Sequence, residues 1–528
     1  MSADKIITSA QLAANNGKDC KPLWIKIGTE VFDLSKFQDM HPGGVSVLKK
    51  VAGKDATDAF RMYHAPAVMA KYREKLRIGV LQEAVKEEEE LEQRRLMARS
   101  AILDMDLAYG DQIPYGDPAW YQRSTVNPFY KQTHRDFRAR VRAFVENEII
   151  ATMSSWRHLG VPPKELVAKM GKEGLLACMA GGTPFPREHV DPGTPEPEDF
   201  DFFHIQILFD EVSRCGDAGV IAALTNGPSI AVCALLKFGS EEVKKSGIVR
   251  EVLMGRKMIA LAVTEPVGGS DVSSLSCELT VNKDGSMTVT GNKKFITNGT
   301  YADYFTLLAK DPERGLTMVL VEANLDGFST KKVKIPNNTV SGTAFLDFNN
   351  TPVRFIVGKR GEGFKLQMAA FNFERWYVSV CMVRLARVCL EESIRYSVKR
   401  KTFGKELNQH QAVRMRIAEM VRDVESCQAW LDSITYQLNV LEVRRAANVL
   451  GDTIGSLKVQ ASYVYDRCAR HCTHIFGGNS LQADGPGGKI EPALGQTKAY
   501  LIPAGAADIL DDFTARRIFF GAKNLAKL

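Results

Sequence analysis

The 528-residue chain lacks several features that would place it in a class at once. None of its 10 cysteines forms a Cys-x-x-Cys pair, so they read as reduced core residues of an intracellular protein. Charge of one sign is not in large excess. The 69 basic and 62 acidic residues leave +7, spread along the sequence. Nucleic acid is therefore not implied, and a basic cleft for an anionic ligand fits equally well. Apolar runs such as Met258–Val263 are far too short to cross a bilayer, so no membrane span is expected. Met1–Lys5 is not followed by an apolar segment, so no secretory leader is expected. What remains is a globular composition, 45% hydrophobic, 25% charged and 9% aromatic. It excludes disorder and collagen, and at this length it predicts two or more domains.

Composition shifts divide the chain. Residues 1–82 form a small mixed module, in which Trp24–Ile27 and Glu30–Leu34 alternate around Gly28-Thr29 as a hairpin would. Residues 83–127 read as a charged helical linker, with Glu87–Glu90 in series and Pro114, Gly116 and Pro118 as punctuation. Residues 128–256 are helical, interrupted by a proline-rich stretch at Gly181–Asp199 that reads as an exposed loop. Residues 257–357 carry short strand-like runs, among them Leu279–Val281, Phe305–Leu308, Met318–Val321 and Ala344–Phe348. Long helical stretches with few breakers fill residues 358–528.

Two histidines stand out in the first module. His41-Pro42-Gly43-Gly44 follows Phe37, and His64 comes 23 residues later, after Phe60 and Tyr63. Pro42 and Gly43 stop the chain and let backbone approach a large planar ligand. The module resembles cytochrome b5, which implies haem b with its iron clamped between His41 and His64. Two axial imidazoles leave no open position for oxygen or substrate, so the implied task is one-electron transfer.

Four further motifs recur in order: Ala262-Val263-Thr264-Glu265-Pro266-Val267-Gly268-Gly269-Ser270-Asp271, Gly291–Gly299, Arg400–Leu407 with His410-Gln411, and His474-Ile475-Phe476-Gly477-Gly478-Asn479. The glycines of the first expose backbone N–H groups, and Phe295 and Thr297 of the second suit an aromatic ring and its polar edge. A Gly-x-Gly-x-x-Gly fingerprint is absent, which removes a Rossmann reading. Together the motifs resemble the acyl-CoA dehydrogenase family across residues 128–520. The resemblance implies a multidomain α+β chain: the cytochrome b5-like α+β domain, a helical domain, a central β-barrel domain and a C-terminal four-helix bundle. It also implies that Val263, Thr264, Gly269, Ser270, Phe295, Ile296 and Thr297 bind the flavin end of FAD. Arg400, Thr402, Phe403 and Gln411 would bind its adenosine diphosphate half, with His474, Gly477 and Gly478. In the family a neighbouring subunit shares that half, which implies a homotetramer or homodimer.

The family's reaction needs a carboxylate to take an α-proton from an acyl-CoA thioester while the β-hydrogen leaves as hydride. Many members carry this acid in a C-terminal loop, where the present chain has Pro503-Ala504-Gly505. Glu374-Arg375, after Phe371-Asn372-Phe373, resembles the isovaleryl-CoA and long-chain subgroups, which place the base there. Glu374 is thus the expected base. Ser270, Phe371, Asn372, Arg375, Ala504 and Gly505 are expected to bind substrate, with the Ala504 N–H on the thioester oxygen. One such donor is worth roughly 3 kcal/mol.

The two halves imply that electrons pass from FAD to the fused haem and then to an external acceptor. A flavin oxidase giving peroxide is one alternative. Another is a flavoprotein that binds DNA or a partner, although the basic C-terminal region of that branch is missing. Cys468, His471, Cys472 and His474 match no usual zinc spacing and read as helix residues. The tail Ala526-Lys527-Leu528 is close to the Ser-Lys-Leu address of the peroxisomal import receptor, so a peroxisomal location is expected, otherwise a cytoplasmic one.

Overall fold

A computed structural model describes residues 5–64, 66–83, 86, 113–121, 127–482 and 485–525. The acidic run Glu87–Glu90, most of the expected linker and the Ala526-Lys527-Leu528 tail lie outside the described residues. The chain forms two compact units. One comprises Met1–Thr125, Glu392–Arg414 and Cys472–Glu491; the other comprises Val126–Glu391, Met415–His471 and Pro492–Leu528.

The first unit contains a four-stranded sheet in the order Ile6–Ile7, Arg77–Leu81, Glu30–Asp33, Trp24–Ile27. The expected hairpin is present, with Trp24 opposite Asp33, Ile27 opposite Glu30, and Gly28 at φ +63° in the turn. Successive side chains of a strand point to opposite faces. Phe32 accordingly joins Leu23, Ile25, Leu48 and Ala52 on one face, and Val31 joins Ile7, Leu12 and Leu81 on the other. Helices Val45–Val51, Thr57–Tyr63 and Pro66–Leu76 follow the hairpin. The same unit holds the two-stranded ribbon Lys401–Thr402/Lys405–Glu406 and the turn Gly477–Leu481. Asn479 Nδ2 donates to Tyr396 Oη at 2.8 Å, and the Tyr396 and Phe476 rings stack at 4.1 Å.

The second unit begins with helices fixed by capping carboxylates. Asp201 accepts from the N–H groups of Phe203 and His204, and Asp217 from those of Gly219 and Val220. The proline-rich 181–199 stretch is not simply exposed: Phe185, His189, Val190 and Thr194 are buried. Its prolines forbid regular structure, yet an apolar side chain every few residues anchors it. The segment Ala218–Phe238 is long and apolar enough to cross a membrane by length and composition alone, but 78% of its most apolar window is buried inside the protein, as in a core helix. The stretch Thr225-Asn226-Gly227-Pro228-Ser229 splits it into two shorter apolar runs.

The β-domain is one eight-stranded sheet. Its path runs Phe328–Lys332, Ala344–Pro352, Met287–Ile296, Glu278–Val281, Tyr304–Asp311, Gly315–Glu322, Phe355–Val357, and Ile259–Ala262 pairs in parallel with Tyr304–Asp311. Every expected strand lies within it. Helices Gly363–Ser397, Gln411–Val440, Gly451–Phe476 and Ala507–Leu525 follow. Their portions in this unit are joined by Trp376 Nε1 donating to Thr435 Oγ1 (2.9 Å), Arg467 Nε to Asp423 Oδ2 (2.6 Å), and the Ser456–Thr514 hydroxyl pair (3.2 Å).

One buried ion pair joins the first two motifs of the β-domain. Lys293, fully buried, donates to the Val263 carbonyl (2.9 Å), Glu265 Oε1 (2.9 Å) and the Leu308 carbonyl (2.6 Å). Glu265 in turn accepts from Ser276 N and Oγ and from Cys277 N. Removing one partner strands a buried charge. Lys293→Met is therefore expected to destabilise the β-domain by about 3–5 kcal/mol. Chemical denaturation followed by fluorescence measures this, and an unchanged midpoint contradicts it.

Candidate active site

Glu374 lies on the helix Gly363–Ser397, where the run from Phe373 to Leu390 is almost entirely buried. The residue is 8% exposed, and its Oε2 is buried with no hydrogen-bond partner among the described residues. Burial pushes its pKa up to about 7, while the charges of Arg375 and Lys458 act to lower it. A carboxyl with that environment is suited to general-base work near neutral pH.

Around it sits the expected loop. Ala504 is buried at φ +59°, and Gly505 follows at φ +105°. Arg375 Nε donates to the Ala504 carbonyl at 2.9 Å, and its guanidinium lies 5.4 Å over the Phe371 ring. Arg375 therefore holds the loop. Asn372 Nδ2 donates to the Ala447 carbonyl at 3.3 Å, a structural contact that its expected substrate role did not foresee.

The residues expected at the flavin ring lie in the β-domain. Lys294 N donates to the Thr264 carbonyl at 2.9 Å, which sets Thr264 beside Phe295. Phe295 is 55% exposed at φ +62°, and Thr297 is half-buried. Gly269 and Ser270 are exposed. Val263 and Ile296 were expected to face the cofactor, but both side chains are buried, with Ile296 part of the β-core, so each offers its backbone. An open aromatic ring beside a hydroxyl and free glycine backbone fits a planar ring with a polar edge.

The expected adenosine-side residues lie in the other unit. Phe403 is 97% exposed at φ +50°, and Thr402 Oγ1 lies 3.2 Å from His410 Nε2. Gln411 opens the helix Gln411–Val440. His474 and Gly477 are exposed, and a side chain added at Gly477 or Gly478 would meet nothing within 4 Å. Arg400 does not stand open: its Nη1 lies 3.3 Å from Met62 Sδ and 3.4 Å from Tyr63 Oη, at the end of the helix that precedes His64.

His41 and His64 face each other with ring centroids 5.8 Å apart. Metal–nitrogen bonds of about 2 Å on both sides of one ion place two imidazole centres about 6 Å apart. His64 Nδ1 lies 3.2 Å from the Phe60 carbonyl, so it carries the proton and leaves the Nε2 lone pair available. The Phe60 ring stacks on His64 at 4.6 Å. Burial, then the neighbouring His64, lowers the pKa of His41 and keeps it a neutral ligand. The pair fits a haem iron.

The chain is similar to known proteins along most of its length. Family models match residues 131–250 (acyl-CoA dehydrogenase, N-terminal domain), 260–351 (middle domain) and 361–519 (C-terminal domain). Acyl-CoA dehydrogenase AFT10-1 of Alternaria alternata is 32% identical over 422 residues, covering 78% of this chain and 96% of that protein. The chain belongs to the acyl-CoA dehydrogenase family. The long-chain specific acyl-CoA dehydrogenase of Sus scrofa mitochondria is 27% identical over 403 residues, covering 74% of this chain and 88% of that one. A probable acyl-CoA dehydrogenase from Mycobacterium abscessus shares the fold with a TM-score of 0.66 at 26% identity, over 74% of this chain and 100% of that chain. Residues 8–82 match the cytochrome b5-like heme/steroid binding domain. The chain is thus an FAD-dependent oxidoreductase acting on a CH–CH bond, with a fused haem-binding domain.

Sequence reasoning missed several residues of this acyl-CoA dehydrogenase site. Lys458 is fully buried and donates to the carbonyls of Leu501 and Gly505, each at 2.9 Å. Gln496 donates to Asp217 Oδ1 and the Asn337 carbonyl and accepts from Ala218 N. His134, Asp201 and His204 form the one His/Cys/Asp/Glu group among the described residues close enough to hold a metal ion. His134 Nδ1 accepts from Lys131 N at 2.8 Å, so its Nε2 carries a proton to Asp201 and the group reads as a helix-start lock. The Cys468–His474 cluster holds no such arrangement; His471 meets Arg416 and Glu419 instead.

The haem clamp makes a test. A side chain at Gly43 would begin 2.9 Å from His41 Cε1 and turn that ring. Gly43→Val is expected to lower haem content several-fold at unchanged flavin content, read as Soret absorbance per mole of purified protein; full haem occupancy contradicts the assignment.

Proposed function

We propose that the chain removes hydrogen from the α and β carbons of an acyl-CoA thioester, with Glu374 as base, and delivers the electrons to its own haem domain. The buried, unpartnered carboxylate of Glu374 carries the first part of this reading. Glu374 takes the α-proton. The Ala504 N–H, set by Arg375, meets the thioester oxygen as charge develops there. Phe371 and Arg375 line the approach from the same helix face, four residues apart. Thr264, Phe295 and Thr297 hold the ring of FAD, which when bound accepts the β-hydride. Burial of Glu374, Tyr377 and Lys458 keeps water from the reacting carbons. Phe403, almost fully exposed, supports an oligomer in which a neighbouring subunit covers it.

The relay part rests on the bis-histidine clamp, which leaves an iron no position for oxygen or substrate, and on the contact of Arg400 with the helix before His64. His41 and His64 would hold the iron, whose chemistry is the transfer of one electron at a time.

Glu374→Gln is expected to abolish turnover with an artificial acceptor while flavin content stays that of the wild type. In the wild type, kcat/KM is expected to rise through about pH 7, because the base works only when ionised and burial has raised its pKa to about 7. A flat profile from pH 5 to 8 removes Glu374 from this role. For the relay, anaerobic stopped-flow mixing with acyl-CoA should show flavin bleaching followed by haem reduction. Bleaching without haem reduction, with stoichiometric peroxide once air is admitted, identifies an oxidase.

A further inference from the structure

The roles assigned above leave one buried cation in the site unexplained. Lys458 sits within the helix Gly451–Phe476 and has no exposed surface. Burying an ammonium is costly, and it is tolerated where hydrogen-bond acceptors and an opposite charge compensate. Its Nζ donates to two backbone carbonyls, Leu501 and Gly505, at 2.9 Å each. Arg375 holds the carbonyl between them, that of Ala504, also at 2.9 Å. Two cations from two helices thus hold three carbonyls of one five-residue turn. Each peptide plane points its N–H opposite to its carbonyl. The Pro503–Ala504 peptide, which bears the thioester donor, lies between held peptides on either side. Ala504 has a left-handed φ of +59°, a conformation that costs a non-glycine residue roughly 1 kcal/mol and needs such restraint.

We propose that Lys458 is a positioning residue for the thioester site: it fixes the turn that aims the Ala504 N–H, and it places its charge beside Glu374. The inference rests on Glu374 being the base. The charged and titratable groups that face Glu374 are Arg375 and Tyr377 on its own helix and Lys458 on the opposing one. Burial lowers the pKa of Lys458 to about 8, Glu374 acts to raise it and Arg375 to lower it. Near neutral pH the ammonium therefore favours the ionised base. Loss of that charge raises the Glu374 pKa and moves the acid limb of the rate profile to higher pH.

The test compares Lys458→Met, Lys458→Gln and Lys458→Arg in the full-length holoenzyme, per mole of bound flavin, beside wild type and Glu374→Gln. Lys458→Met is expected to lower kcat roughly a hundredfold, the size of losing an oxyanion donor. KM should change by less than about threefold, because the turn acts on the transition state more than on binding. The acid limb should move up by about one pH unit, the low end for a lost neighbouring charge. Lys458→Gln, which keeps a donor without the charge, should show the same limb shift with a smaller fall in kcat. Lys458→Arg should keep the limb in place and recover part of kcat.

A Lys458→Met enzyme with full flavin, wild-type kcat and an unmoved limb overturns the proposal. So does failure of all three variants to fold with FAD, which makes Lys458 a folding residue alone. If wild type oxidises no acyl-CoA, or Glu374→Gln stays active, the base assignment fails first. With an active wild type and an inactive Glu374→Gln, the Lys458 variants report on Lys458 alone.

Discussion

The carboxylate of Glu374, the proposed base, would have to be charged to act, yet it is held where water is scarce, and its surroundings answer that constraint. Burial alone drives Glu374 toward its neutral form. Arg375 and Lys458 oppose that drive from two helices. Their own hydrogen bonds go to backbone carbonyls and not to Glu374, so the base stays unpaired and able to accept a proton. A direct ion pair would instead have lowered its basicity and blocked its approach to carbon. The helix carrying Glu374 is anchored two and three residues on: Trp376 donates to Thr435, and Tyr377 Oη donates to Asn226 Oδ1 at 3.1 Å. The base is therefore positioned by the bundle and by the N-terminal helices at once.

On the proposed reading the same two cations would let a loop without an acid still serve the reaction. An alanine at 504 offers the same peptide N–H that a glutamate would. Its small side chain also leaves room for a base arriving from another helix. The restraint on the turn comes from side chains outside it, which lets its own residues be small and, at Ala504 and Gly505, left-handed.

Local signals were legible in the sequence and distant ones were not. The Trp24–Ile27/Glu30–Asp33 hairpin was readable because period-2 alternation and a glycine turn act within ten residues. The histidine pair was readable because a haem clamp needs a glycine beside His41, where a side chain would strike the ring. Lys458 was not readable. Its partners are carbonyls more than 40 residues away, and a carbonyl is present at every position of every sequence. Lys293 and Gln496 escaped for the same reason. The 181–199 stretch was misjudged in the opposite sense. Proline content reports the lack of regular structure and carries no information on burial, which Phe185 and Val190 decide.

The fusion changes what the fold is asked to do. Bound FAD would supply two-electron chemistry, whereas an iron held by His41 and His64 would supply one-electron transfer. On the proposed reading the haem domain would serve as a conduit and not as a second reaction site. The helix that ends at His64 contacts Arg400 through Met62 and Tyr63, and the ribbon carrying Thr402 and Phe403 begins one residue later. A guanidinium suited to a pyrophosphate is therefore shared with the element that supports a haem ligand. Were Arg400 to turn toward a dinucleotide, as the sequence motif suggests, its contact with Met62 and Tyr63 would change.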